Sequence, residues 1–175
     1  MQGTIFGLDL AKRIFQLHWV DRKTGAICRR QLKRVQVAEF FANREPGVIA
    51  MEACGSAHHW ARTFIALGHE VRLIACQFVR PFVKSNKSDA ADAQAIWEAA
   101  QRPGMKFVAV KSEAQQAVLT LHRLREQLVK IRTMQVNQLR GLLYEFGSDL
   151  PQGLKRGMDR FHPNWRSWRR GCRQW

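Results

Sequence analysis

The chain has 175 residues, of which 46% are hydrophobic and 10% aromatic, so it can bury a core and is not expected to be disordered. Its 29 Lys and Arg residues outnumber 14 Asp and Glu residues, and the formal charge of +15 makes nucleic acid the expected class of partner. No apolar run reaches the roughly 18 residues of a membrane span, so we expect a cytoplasmic protein with no membrane partner.

The first half of the chain is predicted to form short strands followed by alternating strands and helices. Alternating or continuous apolar runs indicate the strands, and the polar stretch at residues 21–25 indicates a turn. Ser56 is expected to cap a helix that Gly68 ends. This order favours a mixed sheet with helices on its faces. The predicted strands cover residues 4–10, 14–20, 26–35, 48–51 and 71–75, and a further short helix covers residues 37–43.

The second half is predicted to be helical. A helix over residues 89–100 ends before Pro103, and a longer helix begins at Ser112 and Glu113. Two interpretations of the longer helix remain open, an arm that self-associates and an amphipathic helix that lies on the sheet. Its leucines and isoleucine alternate spacings of three and four, as in a coiled-coil seam, at Leu121, Leu124, Leu128 and Ile131.

The tail over residues 148–175 differs from the rest of the chain. It has seven Lys and Arg residues against two acids, and three of the six tryptophans. Such a segment suits phosphate binding and base stacking, but its lack of apolar periodicity favours an out-of-frame or truncated end. Residues 1–147 alone still carry a formal charge of +10. We therefore expect an α/β domain over residues 1–110, a long helical segment over 111–147 and a disordered or frameshifted basic tail over 148–175.

Four carboxylates stand out in this basic chain. Asp9 lies near the end of the first predicted strand, and Glu52 directly follows the buried strand over residues 48–51. Asp89 and Asp92 are three residues apart on one helix face. Taken singly, they could offset a helix dipole, pair with a cation or face water. Taken together, they would repel one another unless Mg²⁺ or Mn²⁺ lay between them, and two such ions about 3.5–4 Å apart support phosphodiester chemistry.

Three segments carry these acids in order: Gly7-Leu8-Asp9-Leu10-Ala11-Lys12, Met51-Glu52-Ala53-Cys54-Gly55-Ser56-Ala57-His58-His59-Trp60-Ala61 and Lys87-Ser88-Asp89-Ala90-Ala91-Asp92-Ala93. They resemble the signature motifs of the DEDD transposases of bacterial insertion sequences, recombinases guided by a structured bridge RNA. The resemblance implies an RNase H-like (RuvC-like) mixed sheet flanked by helices, followed by a long helix of coiled-coil type. It also implies that Asp9, Glu52, Asp89 and Asp92 are catalytic and bind Mg²⁺ or Mn²⁺.

The same resemblance implies the function and the partners. We expect a DNA transposase that acts on DNA with a guide RNA, forms homo-oligomers through the long helix and lies at the bacterial nucleoid. Family members continue into a second domain with a nucleophilic serine, so we expect a truncated copy. The alternative is a non-catalytic module for nucleic-acid binding and dimerisation. The candidate phosphate ligands are Lys12, Arg80, Lys84 and Lys87, although each could also be a solvated basic side chain.

Overall fold

The computed structural model describes residues 3–83, 89–151 and 153, with side chains in the second range described from Ala91 onwards. The chain divides into two compact units, residues 1–113 and residues 114–175. Lys84, Lys87 and most of the predicted tail lie outside the described residues. Within the described ranges, no helix has both the length and the apolar character that crossing a membrane requires.

A six-stranded mixed sheet forms the centre of the first unit, with the strand order β3-β2-β1-β4-β5-β6. The first three strands form an antiparallel meander, β1, β4 and β5 run parallel, and β6 is antiparallel to β5. This sheet confirms the predicted mixed α/β class. The strands are β1 (Ile5–Asp9), β2 (Ile14–Val20), β3 (Ile27–Lys33), β4 (Val48–Glu52), β5 (Glu70–Ile74) and β6 (Phe107–Val108).

The described residues also form five α-helices. The expected helix after Ser56 is present, but the Ser56 side chain makes no capping hydrogen bond, so that part of the prediction is wrong. Its backbone is already close to helical (φ −104°, ψ −1°), unlike the extended backbone of a usual N-cap residue. The helices are α1 (Val37–Ala42), α2 (Ala57–Ala66), α3 (Cys76–Val79), α4 (Asp89–Ala100) and α5 (Glu113–Glu145).

One face of the sheet packs against α1 and α2 through aromatic side chains. Phe41 of α1 is fully buried, and its ring lies 5.5 Å from that of Phe6 and 4.8 Å from that of Phe64, between ring centroids. Trp60 of α2 makes an edge contact with Phe15 of β2, with centroids 5.1 Å apart. These contacts form the larger of the two hydrophobic clusters in the first unit.

Helix α4 covers the opposite face and approaches β1 very closely. A Cβ atom on Gly7 would lie 2.7 Å from Trp97 Cβ and 2.8 Å from Trp97 N, and nearer still to the carbonyl oxygen of Ala93. Trp97 also donates a hydrogen bond from Nε1 to the Ile5 carbonyl oxygen at 3.1 Å. Ala93 lies beside Gly7, and Trp97, further along the helix, bonds to Ile5, which comes earlier in the strand. Helix α4 therefore runs antiparallel to β1 and begins near the strand end that carries Asp9.

Helix α5 spans 33 residues, a length of about 50 Å, and none of its residues is buried. The predicted seam lies on it as a row of exposed apolar side chains, with 67% of Leu121, 51% of Leu124, 66% of Leu128 and 41% of Ile131 accessible to solvent. An apolar row this exposed on a long helix is typical of a surface that binds a partner.

Candidate functional site

Asp9 and Glu52 end two neighbouring parallel strands. Leu8 of β1 lies opposite Met51 of β4 in the register, so the next residues along, Asp9 and Glu52, occupy neighbouring positions. Adjacent strands lie about 4.8 Å apart. Both acids are half-buried. The parallel register therefore brings together two carboxylates that are 43 residues apart in the sequence.

The two acids lie on the sheet face that α4 covers. Side chains alternate between faces along a strand, so Asp9 shares the face of Gly7, which contacts α4, and Glu52 shares the face of Ala50, which packs in the α4 cluster. Asp92 is half-buried and directly precedes Ala93, the helix residue whose carbonyl oxygen approaches Gly7. The beginning of α4 and the carboxyl end of β1 thus lie at the same end of the sheet.

The fourth acid, Asp89, is the first residue of α4, and its side chain lies outside the described residues. Among the side chains that the structure does describe, no three of His, Cys, Asp or Glu are grouped to hold a metal ion. The described acids are all hard oxygen donors, the ligand type that Mg²⁺ and Mn²⁺ prefer. The chemistry of the donors fits these ions, and the four-acid metal site remains a prediction.

Two polar residues on the same face were not among the predicted site residues. Gln16 of β2 lies opposite Asp9 in the register and is only 9% exposed. His18, two residues further on, is 2% exposed, and its ring centroid lies 5.3 Å from that of Trp97. Polar residues at alternate positions of a strand are the sequence signal that could have identified this row. Burial, and then the charge of Arg29, lower the pKa of His18, with Glu98 acting in the opposite direction.

A second histidine connects α2 to the segment before α5. His58 accepts a hydrogen bond at Nδ1 from the Lys111 backbone N–H, 3.2 Å away, and its Nε2 lies 3.1 Å from Lys111 Nζ. Arg62 donates to the Lys111 carbonyl oxygen at 2.7 Å. Burial, followed by the charges of Lys111 and Arg62, lowers the pKa of His58. The neutral imidazole therefore suits this position.

The fold is expected to lose stability as the pH falls below about 6.5. Folding lowers the pKa of His58 from its ordinary 6.5, so the unfolded chain binds the proton more readily. The contribution of neutral His58 to the free energy of unfolding is complete above pH 6.5. It declines as the pH falls towards the lower pKa of His58 in the folded chain. Thermal melts should give a lower Tm at pH 5.5 than at pH 7.5, and His58→Gln should reduce this difference. The exposed neighbour His59 is the control, and an equal effect of His59→Gln would contradict the prediction.

Two of the predicted basic ligands lie within the described residues. Lys12 is exposed three residues after Asp9, in the connection between β1 and β2. Arg80 is exposed at the start of a short 3₁₀ turn that follows α3. Both side chains are accessible to solvent.

A family model with the description Transposase, for DEDD transposases of the IS110 type, matches residues 6–147. The chain is 61% identical over 141 residues to a probable family 20 transposase of Pseudomonas aeruginosa, covering 81% of this chain and 42% of that protein. It is 46% identical over 151 residues to the transposase for insertion sequence element IS1328 of Yersinia enterocolitica, covering 86% of this chain and 45% of that protein. The chain thus spans less than half the length of these relatives.

Among solved structures, RuvC of T. thermophilus in complex with a Holliday junction substrate aligns with 56% of this chain and 92% of its own, at 12% identity and a TM-score of 0.39. The family match covers most of the sequence and includes Asp9, Glu52, Asp89 and Asp92. The chain therefore belongs to the DEDD transposase family of the IS110 type.

Proposed function

We propose that this chain provides the metal-dependent acid site of a DNA transposase. The observation that carries the proposal is the neighbouring position of Asp9 and Glu52 at the ends of β1 and β4, beside the beginning of α4. The proposal concerns this acid site, because the chain spans less than half of its relatives.

Asp9, Glu52, Asp89 and Asp92 would hold Mg²⁺ or Mn²⁺. Such ions, when bound, activate the attacking oxygen and stabilise the leaving oxygen of a phosphodiester. Lys12 and Arg80 would contact the DNA backbone and fix its position near the acids, since phosphate contacts determine orientation rather than sequence preference. Gln16, opposite Asp9, would orient its carboxylate through the amide group.

A thermal melt titrated with Mn²⁺ tests this site. An ion that binds only the folded chain stabilises it by about 2.7 kcal/mol at one hundred times its Kd, a shift of several degrees in Tm. We expect a saturable shift in the natural chain and in Glu45→Gln, an exposed acid outside the site. The shift should disappear in Asp9→Asn and Glu52→Gln.

Two outcomes would contradict the metal site. One is a cooperative unfolding transition whose Tm does not change with Mn²⁺. The other is an equal increase in Tm on adding Mn²⁺ to Glu52→Gln and to Glu45→Gln. If the metal effect is present, cleavage of DNA by the natural chain and by Asp92→Asn is the next comparison. We expect Asp92→Asn to abolish cleavage, because a ligand to the ions is removed.

The second candidate function is a non-catalytic module that binds nucleic acid and forms homo-oligomers. The exposed apolar row on α5 supports this candidate, since a second copy of the same helix would bury it. The charge of +15 supports binding of DNA and of a structured guide RNA in either case. Nucleic-acid binding without any metal effect would favour the module over the transposase site.

A further inference from the structure

A polar groove of about 770 Å³ lies between β3 and α1. Arg30 pairs with Leu17 in the register, and Leu17 belongs to the cluster on the α1 and α2 side of the sheet. Asp9 pairs instead with Gln16, whose side chain alternates to the other face. The groove therefore lies on the sheet face opposite the carboxylates and is separate from the proposed metal site.

Two guanidinium groups border this groove and contact one aromatic ring. The Arg44 guanidinium lies 4.3 Å from the Phe40 ring centroid, and that of Arg30 lies 5.2 Å from the same centroid. Arg44 also contacts Trp19, at 5.1 Å from the ring centroid. These cation–π contacts restrict both side chains before any ligand arrives, which lowers the entropy cost of binding.

Neither guanidinium forms an ion pair within the part of the chain that the structure describes. The groove has a single acid, Glu39, which is exposed. Amide side chains contribute polar lining at Gln36 and Asn43, whereas Gln31, which pairs with Gln16, directs its side chain to the other face of the sheet. Two guanidiniums held against an aromatic ring, two amides and only one acid form a lining that attracts anions and can donate hydrogen bonds to phosphate oxygens.

We propose that this groove binds the phosphodiester backbone of a polynucleotide, with Arg30 and Arg44 as its phosphate ligands. The inference rests on the proposed function only in taking nucleic acid as the partner, and it requires no metal ion. Phosphodiester chemistry is common to RNA and DNA, so the experiment includes both. The groove gives the chain a second nucleic-acid contact on the face away from the acids.

Fluorescence anisotropy in EDTA tests the groove, with the full chain and labelled single-stranded RNA or double-stranded DNA of mixed sequence. Arg30→Gln should weaken binding of at least one probe by roughly fivefold and reduce the salt slope by about 1. Arg22→Gln removes the same charge from the exposed turn between β2 and β3, and it should have a much smaller effect. The probe whose binding Arg30→Gln weakens more, RNA or DNA, identifies the polynucleotide that the groove binds.

Glu39→Gln should raise the affinity for nucleic acid, whereas a misfolded variant would lower it. Removing the single acid should tighten binding by roughly twofold, because repulsion of phosphate is lost. Glu45→Gln is the matched control. Three outcomes would each overturn the proposal. The first is an equal loss of affinity in Arg30→Gln and Arg22→Gln, and the second is an equal affinity of Glu39→Gln and Glu45→Gln. The third is displacement of RNA and DNA by polyglutamate at equal charge. The Mn²⁺ titration of Arg30→Gln separates the two sites, because it should match that of the natural chain.

Discussion

Gly7→Ala is expected to destabilise the first unit strongly or to prevent it from folding. The added methyl group would overlap the α4 backbone at Ala93 and Trp97. The helix cannot easily move away, because its alanines pack closely on the sheet and Trp97 is hydrogen-bonded to Ile5. Overpacking of this kind costs roughly 1–3 kcal/mol, and more where backbone atoms are in the way. Urea unfolding followed by circular dichroism measures the loss.

Gly55→Ala is the matched control for this substitution. A Cβ atom on Gly55 would meet nothing within 4 Å, although Gly55 lies only three residues after Glu52. We expect its unfolding free energy to change by less than about 0.5 kcal/mol. If Gly7→Ala proved equally harmless, the close contact of α4 with β1 would be wrong, and with it the position of Asp92 beside the β1 end.

Leu128→Glu is expected to separate copies of the chain that associate through α5. Burying one leucine is worth about 1.5–3 kcal/mol, and a dimer would lose two such side chains and gain two nearby charges. The dissociation constant should therefore rise by a factor of about 100 or more. Analytical ultracentrifugation of the natural chain and the variant over a range of concentrations measures the change.

Thr133→Glu introduces the same charge at an exposed position on the opposite side of α5. It should leave the dissociation constant within about threefold of the natural value. A natural chain that stays monomeric at all concentrations, or equal effects of Leu128→Glu and Thr133→Glu, would contradict association through the seam.

The elements with strong local signals were predicted closely. The strand over residues 14–20 was predicted with the bounds that β2 has, because its alternation ends at Asp21, whose Oδ1 accepts hydrogen bonds from the backbone N–H groups of Lys23 and Thr24. The helix over residues 89–100 likewise matches α4, since Pro103 follows it. Both patterns depend only on neighbouring residues.

Helix α3 and strand β6 were not predicted. They have four and two residues, too few for a periodic pattern. The pairing of Phe107 with Ile74 forms β6, so this strand exists only because β5 is already in place. Short elements of this kind depend on contacts between distant parts of the chain.

The sequence by itself indicated the order of the main strands and helices, through residue type and local spacing, and the family, through three motifs that resemble those of the DEDD transposases. The same motifs predict Asp9, Glu52, Asp89 and Asp92 as the acids of the site. Only the tertiary structure decided which of these residues are neighbours. The parallel register of β1 and β4 brings Asp9 beside Glu52, and the missing side chain of Gly7 lets α4 pack against β1. The pairing of Arg30 and Arg44 on Phe40 likewise required the folded chain, since contacts between distant residues form only when the whole core packs.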